Sequence, residues 1–364
     1  MKIIEFMGMN STKYGGIEKF NVELAKQGQA KGMDFIFVYN SIPATQAYID
    51  DLKQYNAYVI EIKNTSLFHY IKRCISLIAS EKPSVIHFHF GNEQLFLSPI
   101  VKVVYPRIVQ ICTQHSEFLT KKSIRIFQKK LEYCCVKKVL AVSKGVKKGL
   151  EQKLGKNPKI EVSYLGVKQP TATAAPQLKK EFGIPDDCIV LSAIGFDINI
   201  KGYDILAQSV KLLSNNSTLP NFRILIIGLP EEEDKKFRHI IQDLDIARYF
   251  ISTGIRNDVD RFLAITDIYL QPSRTEAISL TIMEALQFGL PIIASNVGGI
   301  PEAVHNEVNG FLVEPSNHYQ LSQKLERLIS DKDLRIKFGK QSMIMAPQFN
   351  NKEGITSVLN SYDI

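Results

Sequence analysis

An alternation that runs along the chain, stops and starts over narrows the fold more than any other feature. "KIIEF" leads into the helical stretch "GIEKFNVELAKQGQAKG", then "DFIFVYN", and later "SVIHFHF", "RIVQICTQH" and "KVLAVS". Short apolar runs separated by helix-period segments mark parallel strands covered on both faces by helices. Beyond "QPTATAAPQL", a small-residue break with prolines at residues 169–178, the pattern resumes in "CIVLSAIG", "FRILIIG", "YFISTG", "DIYLQPS", "LPIIAS" and "GFLVEP". The expected fold class is α/β, with two doubly wound domains facing across a cleft. Residues 1–168 make the first, 169–178 the linker and 179–340 the second, while 341–364 is a helical segment packing back on the first. A length of 364 residues suits two domains of ordinary size.

Hydrophobic residues at 45% and charged ones at 23% place the chain among globular proteins. No window approaches the roughly 20 apolar residues of a membrane span, and the opening apolar run is too short and wrongly flanked for a signal peptide. The sequence therefore reads as cytoplasmic. Cys74, Cys112, Cys134, Cys135 and Cys188 have neither metal-site nor disulfide spacing, which suits a reducing compartment. Charge is unevenly divided. Residues 1–170 hold 26 Lys or Arg against 13 Asp or Glu, a balance of +13, so the overall +8 leaves −5 for the remainder. Much of the excess lies in "KKSIRIFQKKLEYCCVKKVLAVSKGVKKGLEQKLGK". Two readings stand. Either Phe127 and Leu131 face a core and Lys121, Lys122, Arg125, Lys129 and Lys130 face water, or the segment meets anionic lipid headgroups or a phosphate-bearing acceptor. No nucleic-acid motif accompanies the charge.

In doubly wound sheets, ligands bind beyond the carboxyl ends of the strands. One such end is "SRTEAISLTIMEALQFGLPIIASNVGGIPEAV", residues 273–304. "DIYLQPS" reads as the strand, "RTEA" as a loop and "ISLTIMEALQFG" as a helix stopped by Gly289 and Pro291. Eight helical residues would set Glu276 and Glu284 about 12 Å apart, a span that suits the sugar and the ribose of a nucleotide sugar. Amides at the helix start would meet the diphosphate between them, and each carboxylate would accept from paired hydroxyls.

This stretch resembles the signature of the family-4 glycosyltransferases, the retaining GT-B enzymes. It has a strand ending in Pro-Ser, Glu, seven residues, Glu-Ala, Gly-x-Pro, a strand, Gly-Gly-x-x-Glu and "NGFLV". Further matches follow the family order: "KYGGIEKFNVELAKQGQAKG", "PSVIHFHF", "TQHSEF", "VLAVSKGVKKGL", the phosphate loop "IGFDINIKGYDILAQSVKLL" and the base-binding "STGIRNDVDRFLAITDIYLQPS". The resemblance implies two Rossmann-like domains, the first on the acceptor side and the second binding the nucleotide sugar. It implies transfer of a hexosyl or N-acetylhexosaminyl unit from a UDP- or GDP-linked donor to an acceptor hydroxyl, with retention and with neither metal nor other cofactor. Gly15 and Gly16 would let backbone approach the donor phosphates or the acceptor, and His115 would contact the transferred sugar. Gly195 begins the phosphate loop in which Lys201 would neutralise the departing diphosphate. Glu276 would hold sugar hydroxyls, with the amides of Ala277, Ile278 and Ser279 on sugar or phosphate. Glu284 would hold the ribose, and Ile255 and Arg256 would border the base.

One departure stands out: after Gly195 the family commonly has Arg, and this chain has Phe196. Lys201, helix N-termini, or a substitute such as Arg256 or Arg274 would then carry the diphosphate charge. Two patterns imitate metal sites. Asp258 and Asp260 in "DVD" read as acids in a first helical turn, and His87 and His89 share a strand face without an evident third ligand. The implied partners are a glycan or lipid-linked acceptor, as in bacterial surface polysaccharide or glycolipid assembly, and an anionic inner-membrane face. Two rival readings remain, a nucleotide-sugar 2-epimerase on the same plan and a non-catalytic sugar-nucleotide-binding subunit.

Overall fold

The computed structural model describes the chain except residues 13, 91–93, 117, 119, 121, 171–175 and 364. Lys121 and the middle of the expected linker therefore lie outside the described residues. The chain divides into two compact units, Met1–Gly166 with Asn351–Ile364, and Val167–Asn350.

The first unit holds β1 (Lys2–Phe6), β2 (Asp34–Tyr39), β3 (Tyr58–Glu61), β4 (Val85–Phe88), β5 (Val109–Gln114), β6 (Lys138–Ala141) and β7 (Ile160–Val162). They form one parallel sheet in the order β3-β2-β1-β4-β5-β6-β7. The second unit repeats the plan with β8 (Ile189–Ile194), β9 (Phe222–Ile227), β10 (Phe250–Ser252), β11 (Ile268–Gln271), β12 (Ile292–Ser295) and β13 (Gly310–Val313). Its parallel order is β10-β9-β8-β11-β12-β13. Helices cover both faces, so β8 buries all six of its residues, and Leu191, Ile224, Ile226, Leu270 and Ile293 share one core. Full burial of side chains of this size contributes roughly 1.5–3 kcal/mol each. β3 and β7 add to the strands that the sequence pattern announces. Both are short edge strands that lack a fully buried apolar run.

Two expected boundaries move. Pro176–Glu181 is helical with Leu178 fully buried, so the end of the expected linker is part of the second unit. The return to the first unit begins at Asn351 and not at 341, because Lys332–Met345 is one unbroken helix of the second. From there the helix Asn351–Ser361 packs on the helix Gly16–Gln29 and buries Ile355, Val358, Leu359 and the following Tyr362.

In both sheets the order reverses beside the first strand, between β1 and β4 and between β8 and β11. Loops leaving such a pair part to opposite faces and open a crevice at the carboxyl ends. Glu5 and His87 are register partners across the first reversal, and Ser192 and Tyr269 across the second.

Candidate active site

In the second unit the loop after β8 runs through Gly195, Phe196 and Asp197 into the single turn Ile198–Lys201. Asp197 caps that turn by accepting from the Ile200 amide at 2.7 Å. Gly202 ends it at φ 68°, where an added Cβ would stand 2.0 Å from the carbonyl oxygen of Pro272. Only glycine fits there, and the fit presses this loop against the end of β11. Gly195 leaves room of another kind, since a Cβ on it would lie 2.6 Å from Cγ of Lys201. The lysine therefore lies across the glycine, and its Nζ donates to Oε2 of Glu276 at 2.7 Å. Both side chains are only about 15% exposed. Gln271 at the end of β11 adds a donor to the same oxygen at 3.3 Å, and its own carbonyl accepts from the Tyr269 and Thr281 hydroxyls. Ser279 caps the helix Leu280–Gln287, its Oγ accepting from the Ile282 amide, so Ala277 and Ile278 lie in the loop before that helix. Glu284 lies half-buried within it.

The cations offered in place of the missing Arg are differently disposed. Arg274 makes a paired contact with Asp204 at 2.8 and 2.6 Å, and Arg256 one with Asp258 at 2.8 and 2.8 Å. The hydrogen bond from Arg256 is the main reason the Asp258 carboxyl is held below its ordinary range. Asp258 is thus the counter-ion of Arg256 and Arg261, which accounts for the first acid of "DVD". The Ile198 amide, at the start of the turn Ile198–Lys201, donates to Glu233. Lys201 is left as the cation of this loop whose carboxylate partner is itself a site candidate. Ile255 and Phe196 are both more than half exposed.

In the first unit Gly15 caps the helix Gly16–Gln29, and its amide donates to Glu18 at 3.0 Å. Gly15 and Gly16 are half-buried. His115, one residue past β5, belongs to a polar row that the sheet register assembles from β1, β4 and β5. Glu5 is fully buried, and its Oε1 accepts from the Tyr362 hydroxyl at 2.6 Å while Oε2 lies 2.7 Å from Nε2 of His89. Nδ1 of His89 is 2.9 Å from Nε2 of His115. His87 bonds Tyr362 through Nδ1 and Thr113 through Nε2, both at 2.7 Å. Phe90 stacks on the His115 ring with centroids 3.9 Å apart. A cavity of about 420 Å³ is lined by His115, His89, Phe90, Gln94, Phe96 and Arg125 among others. Burial raises the Glu5 carboxyl, but its close contacts with the His87 and His89 rings, at 3.2 and 2.7 Å, outweigh it and hold the group well below the carboxylate range. Burial pushes His89 down to about 4 and His115 well below its ordinary value.

The histidine pair thus has Glu5 close by, a potential third ligand that the sequence did not reveal. Potential ligand atoms of Glu5, His87 and His89 lie within 4.8 Å of one another, though each of these groups already has hydrogen-bond partners in the row. Sequence reasoning also missed Gln271 and Tyr362. A lone acid inside the apolar strand "KIIEF" was the available signal for Glu5.

Residues 175–344 match the family Glycosyl transferases group 1, and residues 14–169 match Glycosyltransferase Family 4, so the matches hold the whole second sheet and all of the first but β1. The chain belongs to the family-4 glycosyltransferases. This glycosyltransferase is 25% identical over 369 residues to an uncharacterized glycosyltransferase of Haemophilus influenzae, covering 100% of this chain and 99% of that one. It is 27% identical to the UDP-Gal:alpha-D-GlcNAc-diphosphoundecaprenol alpha-1,3-galactosyltransferase of Escherichia coli, over 79% of this chain and 78% of the relative. Among solved structures it resembles Anabaena HepE in complex with UDP-glucose, with a TM-score of 0.81 and 20% identity over 99% of this chain and 100% of that chain. The two-sheet architecture is that of the GT-B glycosyltransferases.

Proposed function

We propose that this enzyme is a retaining glycosyltransferase that moves a hexosyl or N-acetylhexosaminyl unit from a nucleoside-diphosphate donor, UDP- or GDP-linked, to an acceptor hydroxyl without a metal. The observation that carries this reading is the contact of Lys201 with Glu276 at the strand-order reversal of the second sheet, beside the capped start of the helix Leu280–Gln287. A cation and a carboxylate held together there suit the two adjacent parts of one ligand, a diphosphate and a polyhydroxylated ring. As the bond from the anomeric carbon to the diphosphate oxygen breaks, Lys201 balances the growing charge. The acceptor oxygen bonds to that carbon on the same face, and its proton passes to the leaving phosphate oxygen. No protein nucleophile is needed. Glu276 grips sugar hydroxyls, the amides of Ala277, Ile278 and Ser279 meet sugar or phosphate, Glu284 takes the ribose, and Ile255 borders the base. The first unit contributes His115 to the transferred sugar and Gly15 and Gly16 to the donor phosphates or the acceptor.

The acceptor in this reading is a lipid-linked glycan of surface polysaccharide or glycolipid assembly, met at the cytoplasmic face of an anionic membrane. The diphosphoundecaprenol named in the E. coli relative supports it. So does the surface of the first unit, where the helices Gln94–Val104 and Ser123–Cys135 pack together and expose Val103, Val104, Ile124, Phe127 and Leu131 beside the exposed Lys102, Lys122, Arg125 and Lys130. No described helix is long and apolar enough to cross a membrane. A thermal-shift panel of UDP-, GDP-, ADP- and CDP-sugars tests the donor. A UDP- or GDP-sugar is expected to raise Tm in EDTA, and the shift is expected to vanish in Lys201→Ala. No shift with any member, or a shift that needs a divalent cation, counts against the reading.

A further inference from the structure

On the reading of the acceptor as a lipid-linked glycan, we infer that the cavity of the first unit flanked by the helices Gln94–Val104 and Ser123–Cys135 seats the acceptor's head. That head is a sugar ring bearing a phosphate or diphosphate, and Arg125 is the residue that recognises the phosphate. At about 420 Å³ the cavity has the size of a small-molecule site. Its described lining holds two cations, Arg125 and Lys129, and no carboxylate. The two are not equivalent. Lys129 is buried and its charge is answered by the buried Glu132 at 3.0 Å. Arg125 is exposed and has no ion-pair partner among the described residues. An anion that enters therefore meets one uncommitted guanidinium, whose planar fork can donate two parallel bonds to phosphate oxygens.

The rest of the lining suits the ring. Phe90, stacked on His115, and the 43% exposed Phe96 offer aromatic faces to the C–H side of a sugar. Gln94 and Gln128 bring amides that both donate and accept, as hydroxyls require, and the Gln94 carbonyl is engaged only by the Cys112 thiol at 3.7 Å among the described residues. The helix period divides the two tasks of Ser123–Cys135. Arg125, Gln128 and Lys129 fall on one side and line the cavity, while Ile124, Phe127 and Leu131 follow the adjoining side and are exposed. Arg125 stands in the first turn and is exposed, whereas Lys129, one turn on, is buried, so the arginine marks the mouth. A ring seated inside toward His115 would leave its phosphate at Arg125 and pass its lipid chain to the apolar face.

Calorimetric titration of the full chain tests this with glucose, galactose and N-acetylglucosamine, each as the free sugar, the 1-phosphate and the decyl diphosphate ester. At least one sugar is expected to bind roughly tenfold or more tighter when it carries phosphate, equally in the wild type and in Lys201→Ala, which takes the donor loop out of the readout. Arg125→Gln is expected to remove that advantage with Tm unchanged, and Gln128→Trp, which fills the cavity, to abolish binding. Phosphate-bearing probes that bind no tighter than their free sugars overturn the inference. So does affinity that survives both Arg125→Gln and Gln128→Trp, or that is lost in Lys201→Ala alone, because the phosphate would then lie elsewhere. Decyl esters that bind tighter than the 1-phosphates support the lipid-linked acceptor. Equal binding of the two, still dependent on Arg125, would keep the cavity as a sugar-phosphate site and overturn the lipid-linked reading instead.

Discussion

Lys201 carries its charge in a loop where Phe196 supplies none, and the two arginines that could replace the missing one are committed to Asp204 and Asp258. Lys201→Ala should therefore lower kcat/KM at least tenfold, about 1.4 kcal/mol. Arg274→Ala should change donor affinity less than threefold while lowering Tm, since it strands Asp204. Donor titrations of the two variants check this, and equal losses would return the diphosphate to Arg274. The glutamates should separate by ligand. Glu284→Ala should weaken binding of free nucleoside diphosphate as well as of donor, whereas Glu276→Ala should chiefly weaken the intact donor, as calorimetric titration with each ligand would reveal. These two acids were legible in the sequence because one strand, one loop and one helix space them. The commitment of Arg274 was not, because Asp204 lies 70 residues away in the chain.

The helix Ser123–Cys135 overturns the reading in which Phe127 and Leu131 face a core and Lys129 faces water. Lys129 turns inward, buried and bonded to Glu132 at 3.0 Å, while Ile124, Phe127 and Leu131 are 62, 64 and 48% exposed. The acid that draws the lysine in is three residues ahead on the same helix, and the apolar side joins that of Gln94–Val104. Such a face should bind phosphatidylglycerol vesicles at low salt and release them as salt rises, each nearby Lys or Arg contributing roughly 1 kcal/mol. Val103→Ser with Phe127→Ser should abolish co-sedimentation with Tm unchanged, and Lys102, Lys122 and Lys130 changed to Glu should do the same. Lys129→Glu should instead destabilise the fold. Sedimentation that survives the serine pair would show that the apolar face is not what docks.

Across the whole molecule, the last residues of the chain complete the first unit. Gly354 fits against Tyr164 and Leu165, whose carbonyl oxygens an added Cβ would meet at 2.2 and 2.4 Å. Gly354→Ala should push the terminal helix outward and cost about 1–3 kcal/mol, read as a fall in the urea midpoint. Stability should also fall with acid. His89 has a folded value of about 4 against about 6.5 unfolded, so between those values the unfolded chain binds more protons and stability drops as pH falls. Glu5, held low, acts in the same direction at lower pH. Tm should decline from pH 7 to pH 5, and the decline should be shallower in His89→Phe. Equal slopes would mean that His89 is not a buried neutral group.

What the sequence determined by itself is what short range controls. Buried strands need unbroken apolar runs, helices need their period and caps, and the residues after β8 and β11 are set by turn chemistry. Two parallel sheets, the loop bearing Lys201 and the spacing of Glu276 from Glu284 could all be read that way. The edge strands β3 and β7 escaped because an edge demands little hydrophobic pattern. Tertiary structure alone decided the pairings across distance: Lys201 with Glu276, Arg274 with Asp204, and Glu5 with His89 and with Tyr362, 357 residues away. Sheet register and the returning terminal helix bring those groups together, and no local propensity encodes which buried charge will meet which partner.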